Sequence, residues 1–253
     1  IRDSLQGVER LHLRVTRNVG DHWRRSTGAG VAGALVSNGE QVVRAQEDGS
    51  YVLAAEVGIH PFVWVSMPAG MRPAGRFYRA LSEAEGEVDF ALLPAPERAR
   101  SDFSLAQITD THVEGEEEGR SCAEMLSRDL RELVEQVSPD LIIHSGDLSN
   151  RGTREELSWC ARAFETVAPP VFALFGNHDG SAENSIHKGA LTCTRNFGQI
   201  FGPAYYSFDW GDRHFVLYAD IDHLFTAADR RRKEAWLWAD LGQQPAERES
   251  VVI

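Results

Sequence analysis

The chain has 253 residues, 42% of them hydrophobic and 25% charged, and its 38 acidic against 26 basic side chains give a net charge of −12. This balance fits a globular protein of about two domains, each able to bury a core, and excludes capture of nucleic acid through bulk positive charge. There is no apolar run of membrane-spanning length and no signal-peptide pattern, and Cys122, Cys160 and Cys193 lack metal-ligand spacing.

In chain order, the first hundred residues carry short strand-like runs at Val31 to Ser37, Gln41 to Gln46, Tyr51 to Ala55, Phe62 to Met67 and Val88 to Leu93. Asn38-Gly39, Asp48-Gly49 and Gly58 separate them as turn signals, and no convincing helix intervenes. A small antiparallel β-sandwich over residues 1–97 is predicted, with His12, His22 and His60 as surface or core residues. Pro94-Ala95-Pro96 and the charged stretch from Glu97 to Asp102 read as the linker to a second domain over 98–253.

The second domain opens with Phe103 to Thr109, followed by Leu141 to Ser145 and Val171 to Phe175, each apolar and about strand length. Between the first two, Leu126, Leu130, Leu133, Val134 and Val137 recur at helical spacing from Cys122 onward until Pro139. Between the second and third, Thr153 and Glu156 form a possible capping box for a helix carrying Leu157, Cys160, Ala161, Phe164 and Val167, ended by Pro169 and Pro170. Strands alternating with helices predict an α/β domain, β-α-β-α-β with a parallel sheet, whose ligands gather at the strands' carboxyl ends.

Each strand ends in chemistry-bearing residues: Asp110-Thr111-His112, Gly146-Asp147 and Gly176-Asn177-His178-Asp179. Imidazole and carboxylate together suit a borderline divalent cation such as manganese, iron, cobalt, nickel or zinc, whereas calcium prefers more oxygens. Asp110 and His112 would hold a first ion, Asn177 a second, and Asp147, alone at its strand end, would bridge the two. Such a pair favours phosphate ester hydrolysis. The neighbouring Glu114, Glu116, Glu117 and Glu118 read as a solvated loop, and His144 as a packed or hydrogen-bonded strand residue. His187, beside Lys188, is a loop residue with substrate contact as its alternative; His214 and His223 flank the run Phe215 to Ile221. The basic run Arg230 to Lys233 before Trp236, Leu237 and Leu241 reads as the wet face of a helix.

The string Asp-x-His, Gly-Asp, Gly-Asn-His-Asp resembles the calcineurin-like metallophosphoesterase superfamily. The resemblance implies Asp110 and His112 on metal one, Asp147 bridging, Asn177 on metal two, and His178 acting on the leaving group without ligating metal. It also implies phosphate contact for Arg151, which resembles an arginine of the serine/threonine phosphatase branch. Asn150 stands where purple acid phosphatases carry a tyrosine, which argues against a tyrosinate-ligated iron. Glu47-Asp48-Gly49-Ser50-Tyr51 and Pro61-Phe62-Val63-Trp64-Val65 resemble the transthyretin-like domain ahead of some bacterial members, which implies a periplasmic or extracellular location.

That family continues with a histidine after a further strand and then Gly-His-x-His, and neither follows here; Glu249 to Ile253 reads as the start of the next strand. The expectation is a fragment ending inside the catalytic domain, binding metal weakly and weakly active. The expected activity is two-metal hydrolysis of a phosphate mono- or diester on a small phosphorylated substrate. The alternative is a noncatalytic module that binds a glycan or protein and carries a degenerate or truncated phosphoesterase scaffold.

Overall fold

The computed structural model describes residues 8–17, 30–56, 58–83, 88–117, 120–180 and 193–253. His22, Glu118, His187 and Lys188, considered above, lie outside the described residues. The chain divides into two compact units, one of residues 1–101, 206–216 and 231–252, the other of 102–205, 217–230 and 253. Segments 206–216 and 231–252 thus pack with the front hundred residues, well beyond the sequence boundary at 97.

In the first unit, β1 (Val8–Arg17), β4 (Ser50–Glu56), β6 (Met71–Pro73) and β8 (Phe90–Pro94) form a sheet of order β4-β1-β8-β6. A second sheet, β3-β2-β5-β7, joins β2 (Leu35–Ser37), β3 (Val42–Arg44), β5 (Phe62–Ser66) and β7 (Tyr78–Ala80), all antiparallel. The alternation in β4 buries Tyr51, Leu53 and Ala55 and leaves Val52 half exposed, as period-two patterning requires. Strand β5 differs: Val63, Trp64, Val65 and Ser66 are all buried, so both its faces are covered. Trp64 meets Trp236, ring centroids 6.1 Å apart, on the helix Ala227–Leu241. A third sheet contains β14 (Tyr206–Trp210), β15 (Arg213–Leu217) and β16 (Glu249–Val252), with Phe208 stacked on Phe215.

Strands β1, β6, β7 and β14 lie outside the strand-like runs of the sequence, and the linker stretch contains a 3-10 turn at Pro96–Ala99. Lys233 is 1% exposed and belongs to no wet face, because it lies three residues before the fully buried Trp236 and shares its side of the helix. His60 is buried, accepting from the Glu56 N–H at 3.0 Å and lying 3.3 Å from Glu40, as a core residue would.

In the second unit, β9 (Leu105–Ile108), β12 (Leu141–His144) and β13 (Val171–Ala173) make a parallel sheet of order β13-β12-β9. β12 is central and buried at every position, which explains why its sequence is a continuous apolar run. Helix α1 (Cys122–Val137) stops where Ser138 turns left-handed before Pro139. Helix α2 (Arg154–Phe164) begins at Thr153, whose hydroxyl accepts the Glu156 N–H at 3.2 Å. Glu156 reaches back to the Arg151 N–H at 2.9 Å, a variant of the anticipated capping box. Leu157, Cys160 and Ala163 are fully buried along its inner stripe, and burying one such leucine contributes ~1.5–3 kcal/mol. Two-stranded β10 (Glu116–Glu117) and β11 (Arg120–Ser121) precede α1, and helix α3 (Arg195–Ile200) packs Phe197 against Phe175 and Phe201. The helix Ala227–Leu241 is α4. No helix among the described residues is long and apolar enough to cross a membrane.

Candidate metal centre

The loops leaving β9, β12 and β13 meet at the carboxyl edge of their sheet and are zipped together by backbone hydrogen bonds. Asp110 N–H donates to the Gly146 carbonyl at 3.1 Å, His112 N–H to that of Asp147 at 3.1 Å, and Val113 N–H to that of Leu148 at 2.9 Å. Among the described residues, non-glycine positions with positive φ are Asp110 (56°), His112 (42°), Asp147 (55°) and the helix-ending Ser138 (50°). Left-handed backbone costs an L-residue about 1–2 kcal/mol. Three such residues in one patch, none of them a helix cap, mark a place where side-chain direction outweighs backbone comfort.

Those dihedrals turn the side chains toward each other. His112 Nε2 lies 3.6 Å from Asp110 Oδ1 and 4.0 Å from Asp147 Oδ2. His112, Asp147 and His178 each offer a donor atom within 4.8 Å of the others. Room for this approach comes from glycine: a Cβ on Gly176 would overlap the Asp147 backbone and carboxylate. Asn177 is exposed, and its amide has no hydrogen-bond partner among the described residues. The Asp110 carboxyl is held below its ordinary pKa by the Thr109 hydroxyl, which donates to it at 2.6 Å, with help from nearby His112.

His178 is held at two points. Its backbone N–H donates to Asp147 Oδ1 at 2.8 Å, and its Nδ1 lies 2.9 Å from the Asn150 carbonyl. A carbonyl only accepts, so Nδ1 carries the proton and Nε2 remains for other chemistry. The Asn150 side chain in turn donates to Glu114 at 2.7 Å, and Arg151, with its side chain 70% exposed, stands 3.8 Å from the same carboxylate. That exposed ion pair adds little stability. Arg151 is therefore at the rim while the other predicted residues converge.

Two further residues support the cluster, Asp179, to which the sequence pattern gives no role, and His144. Asp179 is fully buried and accepts from the backbone N–H groups of Leu148, Ser149 and Gly176 and from the Ser149 hydroxyl, at 2.9 to 3.2 Å. It clasps the Gly-Asp loop to the Gly-Asn-His loop; burial pushes its pKa up to about 6 although those hydrogen bonds pull it down. Its place as the fourth letter of a motif was the available signal. His144 is buried as expected, and burial pulls its pKa down to about 4. Thr111 gives its proton to the Leu148 carbonyl at 3.0 Å, so the neutral ring donates from Nε2 to Thr111 at 2.9 Å, steadying the residue between Asp110 and His112.

A cleft of about 450 Å³ opens on this edge, lined by Asp110, Asp147, Asn177, Tyr218 and Asp220 among others. Its described lining has three carboxylates and no basic side chain, a field that draws cations and repels a phosphate arriving alone. Asp220 is exposed there, and only its position at the end of the run Phe215 to Ile221, one residue before Ile221, hinted at it. The donor set of carboxylates, imidazole and amide oxygen fits a borderline divalent ion.

Residues 103–249 match the family model described as calcineurin-like phosphoesterase, and residues 17–95 match that for the N terminal of calcineurin-like phosphoesterase. A curated protein of Moraxella catarrhalis (strain BBH18), named a probable cyclic nucleotide phosphodiesterase, is 28% identical over 85 residues, covering 34% of this chain and 30% of that protein. A purple acid phosphatase from yellow lupin (Lupinus luteus) seeds aligns over 97% of this chain and 46% of its own, with 14% identity and a TM-score of 0.41. The chain thus matches less than half the length of either protein. With the phosphoesterase model spanning more than half of its residues, this chain belongs to the calcineurin-like phosphoesterase family.

Proposed function

We propose that the protein hydrolyses a phosphate ester, monoester or diester, at a centre of two divalent transition-metal ions. The observation that carries this reading is the convergence of Asp110, His112 and Asp147, all in left-handed backbone, where Asp110 and Asp147 line a cleft together with Asn177, whose amide has no partner among the described residues. Asp110 and His112 would hold the first ion and Asn177 the second. Asp147, whose carboxylate has one oxygen beside His112 and the other anchoring the His178 N–H, would bridge them. Bound ions of this kind polarise a phosphoryl oxygen and lower the pKa of water.

The remaining work falls to side chains. His178, its Nδ1 proton committed to Asn150, would present a protonated Nε2 to the leaving oxygen as general acid. Arg151, exposed at the rim, would meet the phosphate as it enters, exchanging Glu114 for the substrate. Asp179, buried with its oxygens taken by the backbone of both loops and by Ser149, keeps those loops in register. The decisive experiment is elemental analysis after loading with manganese, zinc or iron, beside hydrolysis of an aryl phosphate monoester and diester. Two ions per chain and metal-dependent turnover are expected. Failure of wild type to retain any ion above the Asp147→Ala level would refute the centre.

A further inference from the structure

The first unit holds a second concentration of charge, remote in chemistry from the carboxylate-lined cleft. His214 is fully buried, with Nδ1 2.8 Å from Asp209 Oδ1 and Nε2 2.6 Å from Asp240 Oδ2. Arg248 Nη1 donates to the other oxygen of Asp209 at 2.6 Å. The Ser207 hydroxyl donates to Asp240 at 2.8 Å, so the Ser66 hydroxyl donates to Ser207. Each Asp209 oxygen is thus already claimed by a cation-bearing ring or guanidinium.

Beside this network lies a cavity of about 280 Å³, lined by Asp209, Arg248, Arg44, Gln243, Gln244 and Ser66 among others. Arg44 donates to the carbonyls of Gly33 at 3.1 Å and Gln243 at 2.6 Å, and no carboxylate pairs with it among the described residues. Arg248 uses Nη1 for Asp209 and Gln244, while its Nη2 and Nε have no protein acceptor among those residues. Two guanidiniums therefore face one small space with donors to spare, and the lining carboxylate is neutralised from behind. In a chain of net charge −12 that is a local reversal of sign.

We propose that this cavity binds a small tetrahedral oxyanion, held between Arg44 and Arg248, as a site separate from the metal centre. A guanidinium fork suits the paired oxygens of phosphate or sulfate, and one already fixed by a carboxylate, as Arg248 is by Asp209, loses little freedom on binding. The volume lies just below the ~300–1,000 Å³ typical of small-molecule pockets, which limits the ligand to the anion or to the anionic end of a small organic molecule. The proposal does not rest on the phosphoesterase reading.

The test is calorimetric titration of metal-free protein with inorganic sulfate and with methylphosphonate. Binding of at least one probe is expected, weakened about tenfold or more, ~1.4 kcal/mol, by Arg44→Met. Arg44 is exposed, so its variant should keep the wild-type melting temperature in the absence of anion. Arg44→Glu should abolish binding, and Asp147→Asn should leave it unchanged. Tighter methylphosphonate would assign the anion to an organic molecule, tighter sulfate to a free ion. Equal affinity in wild type and Arg44→Met, loss of binding in Asp147→Asn, or no binding of either probe to wild type would each overturn the proposal.

Discussion

Histidine and aspartate are concentrated in two regions of this protein, and the regions use them in opposite ways. At the carboxyl edge of β9, β12 and β13, Asp110 is exposed, His112 half exposed, and their polar atoms stand 3.6 Å apart, too far to satisfy each other. Around His214 the same residue types are closed at 2.6 to 2.8 Å, His214 and Asp240 fully buried and Asp209 mostly so, with each ring nitrogen matched to a carboxylate. The first arrangement keeps lone pairs for something absent from the chain itself; the second consumes them. Satisfaction, more than composition, separates a reactive cluster from a structural one.

The largest expected effect tests the open region. Asp147→Ala should lower metal affinity by more than ~100-fold, beyond what loss of a supporting residue costs, because it is the one group proposed to serve both ions. Arg151→Ala should leave metal content intact, and an equal loss in the two variants would remove the bridge. Next comes His178→Gln, which keeps size and polarity but no titratable proton. Turnover should fall ~10² to 10⁴-fold with metal stoichiometry near wild type. Metal departing together with activity would make His178 a ligand, an outcome its place among the 4.8 Å donors allows.

The closed region should respond through stability. Burial disfavours the charged His214 ring, but hydrogen bonds and attraction from Asp209 and Asp240 outweigh it and lift its pKa to about 9. The folded value lies above the unfolded ~6.5, so this contribution is fully present below pH 6.5 and fades as pH rises through 9. Unfolding free energy from urea titrations should drop by about 3 kcal/mol across that window from this group. His214→Ala, which leaves the buried Asp240 carboxylate without its cation, should cost ~3–5 kcal/mol and flatten the profile. An unchanged slope in the variant would mean the ring is neutral in the native protein.

The open region was readable in the sequence and the closed one was not, for a physical reason. Asp110, His112, Asp147 and Asn177 each sit directly behind a short apolar run, so local pattern alone places them on one rim, and the periodicities of α1 and α2 fix the connections. His214 lies inside β15 and its partner Asp240 sits 26 positions away on α4, a pairing no local pattern encodes. The same helix hides Lys233 and Asp240 while leaving Trp238 67% exposed, so binary patterning misreads it. Strand β1 does carry a local signal, Leu11, Leu13 and Val15 spaced by two. Asp179 stands in plain view within its motif, but its clasp joins two loops that meet only in space.

The smallest effect sharpens the comparison most, because it separates strain kept for function from strain kept by accident of sequence. Ser138 and Asp110 have nearly the same φ, 50° and 56°, yet one ends α1 and the other opens the candidate metal site. Glycine relieves left-handed strain at either position, though it also loosens the unfolded chain, so the net gain is a few tenths to ~1 kcal/mol. Ser138→Gly should therefore raise the melting temperature slightly with metal binding untouched. Asp110→Gly should stabilise the metal-free protein by a similar amount while weakening metal retention, since the carboxylate held low by Thr109 is gone. Thermal unfolding with and without added manganese measures both quantities on the same samples. If Asp110→Gly destabilises the metal-free protein, the left-handed turn is held by the Asp110 side chain itself, and its strain is no signature of a site selected for binding.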